Sequence, residues 1–464
     1  MRVLLIVTTL FLFSCAQNEN DSSESETSMP SGPKNVILLI GDGMGEAEIS
    51  LARNYEFDGG DGLFLDTMNF KGSAVVNALL DSDLSKLAFV GDSASGGTVL
   101  ATGQRTAVRR VSTTAKFGLP IKTIAETAKE IGLSVGIVTT AEITDATPAS
   151  FGAHTNNRYC LKAGDDACKG DTPIFEQYFD TNYDVFLGGG IRHLSGNYGD
   201  GTIEDAIKDN GYSLITDRDQ LSGTILSMED KDAKIWGLFA EKHMPREWQG
   251  YQGKYAEKLA VDENNMVIYP SAQSCEANPA FAGMPTLQTM AERALNELDA
   301  KEKGFFLMIE GASIDKSSHD ADPCGVIGEV LGFDRTVEMA VNYAKNHENT
   351  IVIVTADHGG ATQNIHHPYY ESYKRVSQNV PGLLKLLITK GGNEIAAYYG
   401  GNNINTQTVT NDLTDQLAPG AMIDQPHSGI NVPVYAYGLE DDNALNGTIK
   451  QTEIFGVMSK YLFE

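Results

Sequence analysis

Glu310, Asp315 and His319 follow an uninterrupted apolar run, Phe305 to Ile309, in the stretch GFFLMIEGASIDKSSH. The run reads as a strand buried on both faces. Such a strand has no reason to end in a carboxylate unless that carboxylate meets a cation or a donor, because an unpaired buried charge is very costly. Asp315 and His319 lie four positions apart, on one face if that segment is helical. The same grammar recurs along the chain. Val36 to Ile40 runs into Asp42 between two glycines, and Val135 to Thr139 runs into Glu142, Asp145 and Thr147. Ile351 to Thr355 runs into Asp357 and His358, and His427 precedes the strand Val432 to Tyr437. Ligands of an open parallel sheet bind beyond the carboxyl ends of its strands, so the pattern predicts one site gathered from at least four strand ends.

Two further residues extend that chemistry. Ser93 stands in GDSASGGT, a run of small residues entering a helix, where free N–H groups and the helix dipole favour an anion or a developing alkoxide. As an isolated serine it would read as an N-cap; its neighbour Asp92 and the demand for small residues argue for more. Arg158 carries a planar fork that suits a phosphate if it points into the cleft. Asp42, Asp315, His319, Asp357, His358 and His427 are nitrogen and oxygen donors without cysteine, which suits catalytic zinc. Asp42, Asp145, Thr147 and Glu310 offer only oxygen, which suits magnesium. His154, His193, His243 and the pair His366-His367 read as structural, packing or surface histidines.

The elements that must position these groups are alternating strands and helices. Ile121 to Ile131 with its Gly132 stop, the helix after Pro285, the stripe Val330 to Ala344 and the closing segment Gln451 to Phe463 all carry helical spacing. They predict one large α/β domain over residues 34–464, a largely parallel central sheet with helices on both faces. Irregular insertions at about 180–284 and 360–425 would cap the active-site edge. The formal net charge of -27 argues against non-specific binding to nucleic acid or to an anionic membrane surface. An anionic substrate would need local cations in the cleft.

MRVLLIVTTLFLFSC, residues 1–15, has a basic start and an apolar run too short for an ordinary membrane span. It reads as a lipoprotein signal peptide ending in a lipidated Cys15, followed by a polar tether over residues 16–33 and implying export to the periplasm. Export permits disulfides, and sequence proximity favours Cys160 with Cys168, leaving Cys275 with Cys324.

GDGMG, DSASGG, TDATPAS with Arg158 downstream, EGASIDKSSH, VTADH and HSG before VPV occur in the order found in alkaline phosphatases. From Asn35 to the C-terminus the chain resembles the bacterial periplasmic type. The resemblance implies that Asp315, His319 and His427 hold a first Zn2+, and that Asp42, Asp357, His358 and Ser93 surround a second. It implies one Mg2+ on Asp42, Thr147 and Glu310, with Asp145 acting through water. Arg158 would grip two phosphoryl oxygens and Lys316 would reach phosphate through water. The implied reaction is hydrolysis of phosphate monoesters through a phosphoserine on Ser93, the metals clamping the attacking and leaving oxygens of an in-line displacement. A homodimer is implied as well. A phosphodiesterase of the same superfamily and a non-catalytic metal- or phosphate-binding lipoprotein are the alternatives. A sulfatase is disfavoured, since its modifiable residue needs a CxPxR-like setting absent around Ser93. One departure stands out: the family often has a histidine two positions after His358, where this chain has Gly360. A lost contact to a metal ligand commonly costs about 10- to 100-fold in affinity or activity.

Overall fold

The computed structural model describes residues 32–258, 260–264, 267–361, 363–366, 383–399, 425–441 and 443–464. The predicted signal peptide, almost all of the tether, His367 and much of the 360–425 stretch lie outside these residues. Ten strands form the central sheet. In chain order they are β1 (Asn35–Gly41), β2 (Asn69–Val75), β3 (Ser134–Glu142), β4 (Val185–Gly189), β5 (Tyr212–Ile215), β6 (Lys234–Leu238), β7 (Phe305–Gly311), β8 (Thr350–Thr355), β9 (Val432–Tyr437) and β10 (Gly447–Lys450). Their spatial order is β10-β2-β9-β8-β1-β7-β3-β4-β6-β5. All neighbours from β8 to β5 are parallel, and β9 pairs antiparallel with both β8 and β2. The expected largely parallel sheet is therefore present.

The central strands β1, β3, β7 and β8 are buried along their whole length, as continuous runs of Val, Ile, Leu and Phe require when helices cover both faces. Helices α1 (Glu46–Phe57), α2 (Ser93–Thr102), α3 (Ile124–Glu130), α4 (Ala146–Ala149), α5 (Leu287–Asp299), α6 (Ser313–His319), α7 (Pro323–Lys345) and α8 (Gln451–Phe463) supply that cover. α7 packs with α1, α5 and α6, while α2 packs with α3, α4 and α8, giving one layer on each face. Caps explain several boundaries. Thr286 accepts the Thr289 N–H at the start of α5 at 3.1 Å, one residue after the proline that signals the helix. Thr123 and Glu126 form a reciprocal capping box at α3, so that helix begins after Ile121.

The sheet register places the site. Ile40 of β1 lies opposite Glu310 of β7 and Thr355 of β8, and Glu310 lies opposite Thr139 of β3. Asp42, Glu310 and Asp357 consequently leave the sheet within two residues of one level.

The stretch expected to be an insertion from about residue 180 is not irregular at its start. β4, β5 and β6 extend the central sheet, and Trp236, fully buried, sits among Phe175, Phe186 and Tyr212. Short strands punctuated by glycine hid this. Gly189 must be glycine because a Cβ there would fall 1.9 Å from the Lys242 carbonyl oxygen. The later residues do leave the sheet. Strand 257–258 pairs with 383–388, which pairs with 394–399 and then 363–366, so parts of both expected insertions meet in one four-stranded sheet.

Both favoured disulfides are formed, with Cα atoms 4.5 Å apart for Cys160–Cys168 and 5.4 Å apart for Cys275–Cys324. Among the described residues no helix is long and apolar enough to cross a membrane. The two bridges close loops of 8 and 49 residues. Chain entropy then makes the first worth about 2.5 kcal/mol and the second about 4 kcal/mol. Replacing Cys275 and Cys324 together by serine is expected to lower Tm more than the same change at Cys160 and Cys168, as calorimetry would show. The reverse order would refute the entropic reading.

Candidate metal and phosphate site

A cavity of about 830 Å³ opens at the carboxyl edge of the sheet, lined by Ser93, Asp145, Arg158, Asp315, Lys316 and His319 among others. Ser93 is the first residue of α2. Its cap Asp92 accepts the Ser95 N–H at 3.1 Å and the Ser95 hydroxyl at 2.8 Å. The small residues of this helix have a steric cause. A Cβ on Gly96 would lie 2.6 Å from the Asp357 carbonyl oxygen, and one on Gly97 would lie 2.9 Å from Ser150 Oγ. Only glycine lets α2 approach closely enough to bring Ser93 Oγ 3.3 Å from His358 Nε2 and 3.5 Å from Asp42 Oδ1.

Two sets of donors surround that hydroxyl. Asp42, Asp357 and His358 each offer an atom within 4.8 Å of the others, and so do Asp315, His319 and His427. In the first set the His358 Nδ1–H faces the Gly359 carbonyl at 3.2 Å, which turns Nε2 toward Asp42 and Asp357, each 3.4 Å away. Burial holds this imidazole below its ordinary pKa, leaving its nitrogen lone pair free for a cation. In the second set the His427 Nδ1–H donates to the Gly91 carbonyl at 3.0 Å. His427 Nε2 then meets His319 Nε2 at 2.9 Å and Asp315 Oδ1 at 3.6 Å. Burial opposes charge on His427, but Asp315 outweighs it and carries the imidazole up to about 9. Asp315 stays well below the usual carboxylate range despite its burial, owing to His427 and His319.

The oxygen set is the most strained electrostatically. Burial, then Asp357, Asp315 and Glu310, push Asp42 well above the usual carboxylate range. Burial likewise raises Glu310 to about 7, although Thr139 donates a hydroxyl to it. Thr147 Oγ1 and Asp357 Oδ2 are buried without a hydrogen-bond partner. Buried polar atoms in native proteins are rarely left so. Divalent cations would satisfy those orphaned oxygens and neutralise the clustered carboxylates, so the residues fit the metals that the sequence implies.

Cations balance the other side of the site. Arg158 donates through Nη1 to Asp92 at 3.3 Å and through Nη2 to Asp145 at 3.0 Å, and Lys316 donates to Asp145 at 2.9 Å. Burial would raise Asp145, yet Lys316 and Arg158 hold it far below the carboxylate range. The residues given a catalytic, phosphate-binding or metal role from sequence therefore lie at this edge of the sheet. His154 and His193 are structural as expected, bonded to Glu126 and Glu142 at 2.9 Å and 2.8 Å. Glu142 serves His193 and Arg192 instead of the cluster. His243 departs from expectation: it lines the cavity, and its Nδ1 accepts the Glu142 N–H at 3.1 Å. Nothing in its sequence neighbourhood signals this, since it arrives from the far end of β6.

Gly360 is not the gap that the sequence comparison implied. A Cβ there would stand 2.4 Å from the Gly43 carbonyl oxygen and 2.6 Å from Glu48 Oε1. Glu48 fills the position from α1, its Oε2 accepting the Gly45 N–H at 2.9 Å and its Oε1 buried without a hydrogen bond. The sequence offered a faint sign of this, because Glu48 lies four positions before buried Ala52 on the core face of α1.

A family profile described as "Alkaline phosphatase" matches residues 33–463. A streptomycin-6-phosphate phosphatase from Streptomyces griseus is 36% identical, with 95% of this chain and 93% of the relative covered. An alkaline phosphatase from Escherichia coli K12 is 34% identical, covering 92% and 86%. Among solved structures, an alkaline phosphatase from the Antarctic bacterium TAB5 superposes with a TM-score of 0.65 at 23% identity, covering 93% of this chain and 98% of that one.

Gly360→Ala is expected to destabilise the fold by about 1–3 kcal/mol through overpacking, read as a lower Tm; an unchanged Tm would show that the contact yields. Glu48 makes a pH prediction. Burial raises its carboxyl from 4.5 to about 8, so between those values the folded protein keeps a proton that the unfolded chain has released. The stability it contributes is fully present below about pH 4.5 and is lost as pH rises through about 8. Glu48→Gln, the same shape without the titration, should flatten that decline in Tm against pH after chelation. Parallel profiles for the two proteins would exclude Glu48 as its source.

Proposed function

The chain belongs to the alkaline phosphatase family and hydrolyses phosphate monoesters in a metal-dependent reaction; on that premise we propose that Ser93 is its nucleophile. The observation that carries this is the position of Ser93 Oγ, buried against Asp42 and His358 at a cavity that also contains Arg158 and Lys316. Asp315, His319 and His427 would hold one zinc and Asp42, Asp357 and His358 a second. Asp42, Thr147 and Glu310 would hold magnesium, with Asp145 contributing through water. Bound there, divalent cations supply Lewis acidity that lowers the pKa of the serine hydroxyl and stabilises the departing oxygen.

The protein's own groups do the rest. Asp92 and Asp145 each occupy one terminal nitrogen of Arg158, which fixes the guanidinium plane and leaves one N–H on each of those nitrogens for two phosphoryl oxygens. Lys316, held by Asp145, adds positive charge beside them. Ser93 Oγ attacks phosphorus in line, a P–O bond forms to the serine, and the bond to the substrate alcohol breaks. Water then displaces the serine oxygen, releasing phosphate and restoring the hydroxyl. The helix dipole of α2 favours the serine in its anionic form in both halves. Export to the periplasm with a lipid anchor at Cys15, and a homodimer, complete the proposal. They rest on the N-terminal sequence pattern and on the family.

Ser93→Ala should lower kcat for 4-nitrophenyl phosphate by roughly 1000-fold or more, since a residue acting as nucleophile loses nearly all turnover when removed. Chelation should abolish turnover, and zinc with magnesium should restore it. Acid quenching with labelled phosphate should leave label on Ser93. Turnover that survives chelation, or an active alanine variant, would overturn the assignment.

A further inference from the structure

Four arginine and lysine residues line the cavity: Arg109, Arg158, Arg246 and Lys316. Three are committed to carboxylates. Arg158 contacts Asp92 and Asp145 at 3.3 Å and 3.0 Å, Lys316 contacts Asp145 at 2.9 Å, and Arg246 contacts Asp322 at 3.1 Å as well as Asp320. The guanidinium of Arg109 has no ion pair or hydrogen bond among the described residues, although the chain carries a net charge of -27.

The Arg109 backbone, in contrast, is fixed on both sides. Its N–H donates to both Asp92 oxygens at 3.0 Å and 3.1 Å, and its carbonyl accepts the Arg158 N–H at 2.8 Å. The residue is therefore held against the two groups that orient the phosphate grip, yet lies outside that grip. Its φ of 69° is left-handed, a conformation in which glycine is comfortable and a residue with a Cβ is not. Folding alone would favour glycine at this position, and a free charge at the cavity is what arginine adds.

We propose that Arg109 is a specificity residue that binds a second anionic group on the substrate. Its preferred partners are phosphate monoesters whose alcohol portion carries further anionic oxygens, a carboxylate or a second phosphoryl group. Exposed Tyr159, which follows Arg158 and also lines the cavity, offers an apolar surface for the intervening carbons. This reading rests on the phosphomonoesterase site described above.

The test compares glycerol 3-phosphate, 3-phosphoglycerate and propane-1,3-diol bisphosphate, whose alcohol portions carry no second anion, a carboxylate and a phosphoryl group. In Arg109→Gly the ratio of kcat/KM for 3-phosphoglycerate over glycerol 3-phosphate should fall about tenfold, through KM, the scale of one charged hydrogen bond. The bisphosphate arm shows which second anion is preferred. Arg109→Lys should restore part of the ratio and Arg109→Glu should lower it further, while Tm in the glycine variant should not fall. An unchanged ratio, or equal losses on all three substrates, overturns the inference. Calorimetric Kd values for the same compounds, with Ser93→Ala and with Ser93→Ala combined with Arg109→Gly, read the preference without turnover. Absence of hydrolysis by the wild type with the Kd ratio intact would count against the activity alone; equal Kd ratios would count against Arg109.

Discussion

Mutual repulsion among buried carboxylates is the constraint on which the rest of this structure depends. Asp42, Glu310, Asp315 and Asp357 lie within a few residues of one level at the edge of a parallel sheet, all of them buried. Burial and like charge raise Asp42 and Glu310, while His427 and His319 hold Asp315 low against its burial. Such an arrangement is stable when cations share the space, and side-chain cations account for only part of the need. Lys316 and Arg158 are already drawn to Asp145 and Asp92. The remaining demand is what divalent cations would answer.

Close packing converts that charge into chemistry. A serine hydroxyl becomes useful only if it reaches the cluster, and α2 reaches it because Gly96 and Gly97 let the helix lie directly on the backbone of Asp357 and against Ser150. Gly43, whose added Cβ would stand 2.6 Å from Asp315 Oδ1, plays the same part on the opposite side of the cluster. At Gly360 the space is closed by the Gly43 carbonyl and Glu48, so a carboxyl group from α1 stands where a side chain at 360 would otherwise lie.

Much of this was legible in order along the chain. Apolar runs ending in acids marked β1, β7 and β8 together with the donors at their ends, because a strand buried on both faces needs continuous hydrophobicity and cannot end in an unpaired charge without a reason. Legibility failed where strands were short. β4, β5 and β6 looked like an insertion, since strands of four or five residues, two of them carrying glycine, show little periodicity. It failed again for single residues whose role comes from their surroundings. His243 reads as a surface or packing histidine, and nothing in the sequence singles out Arg109, until the cavity is present.

The amino-acid sequence by itself determined which donor types stand at the strand ends, because donor types and their attachment to strand ends are local properties of the chain, and the order of its motifs carried the resemblance to the family. It determined the helical and sheet periods of the core for the same reason. Tertiary structure alone decided which oxygens are orphaned, which cations are already paired and which are free, and how near Ser93 comes to Asp42 and His358. Those are distances between segments tens to hundreds of residues apart, set by register and by the absence of a few methyl groups, and no local pattern records them.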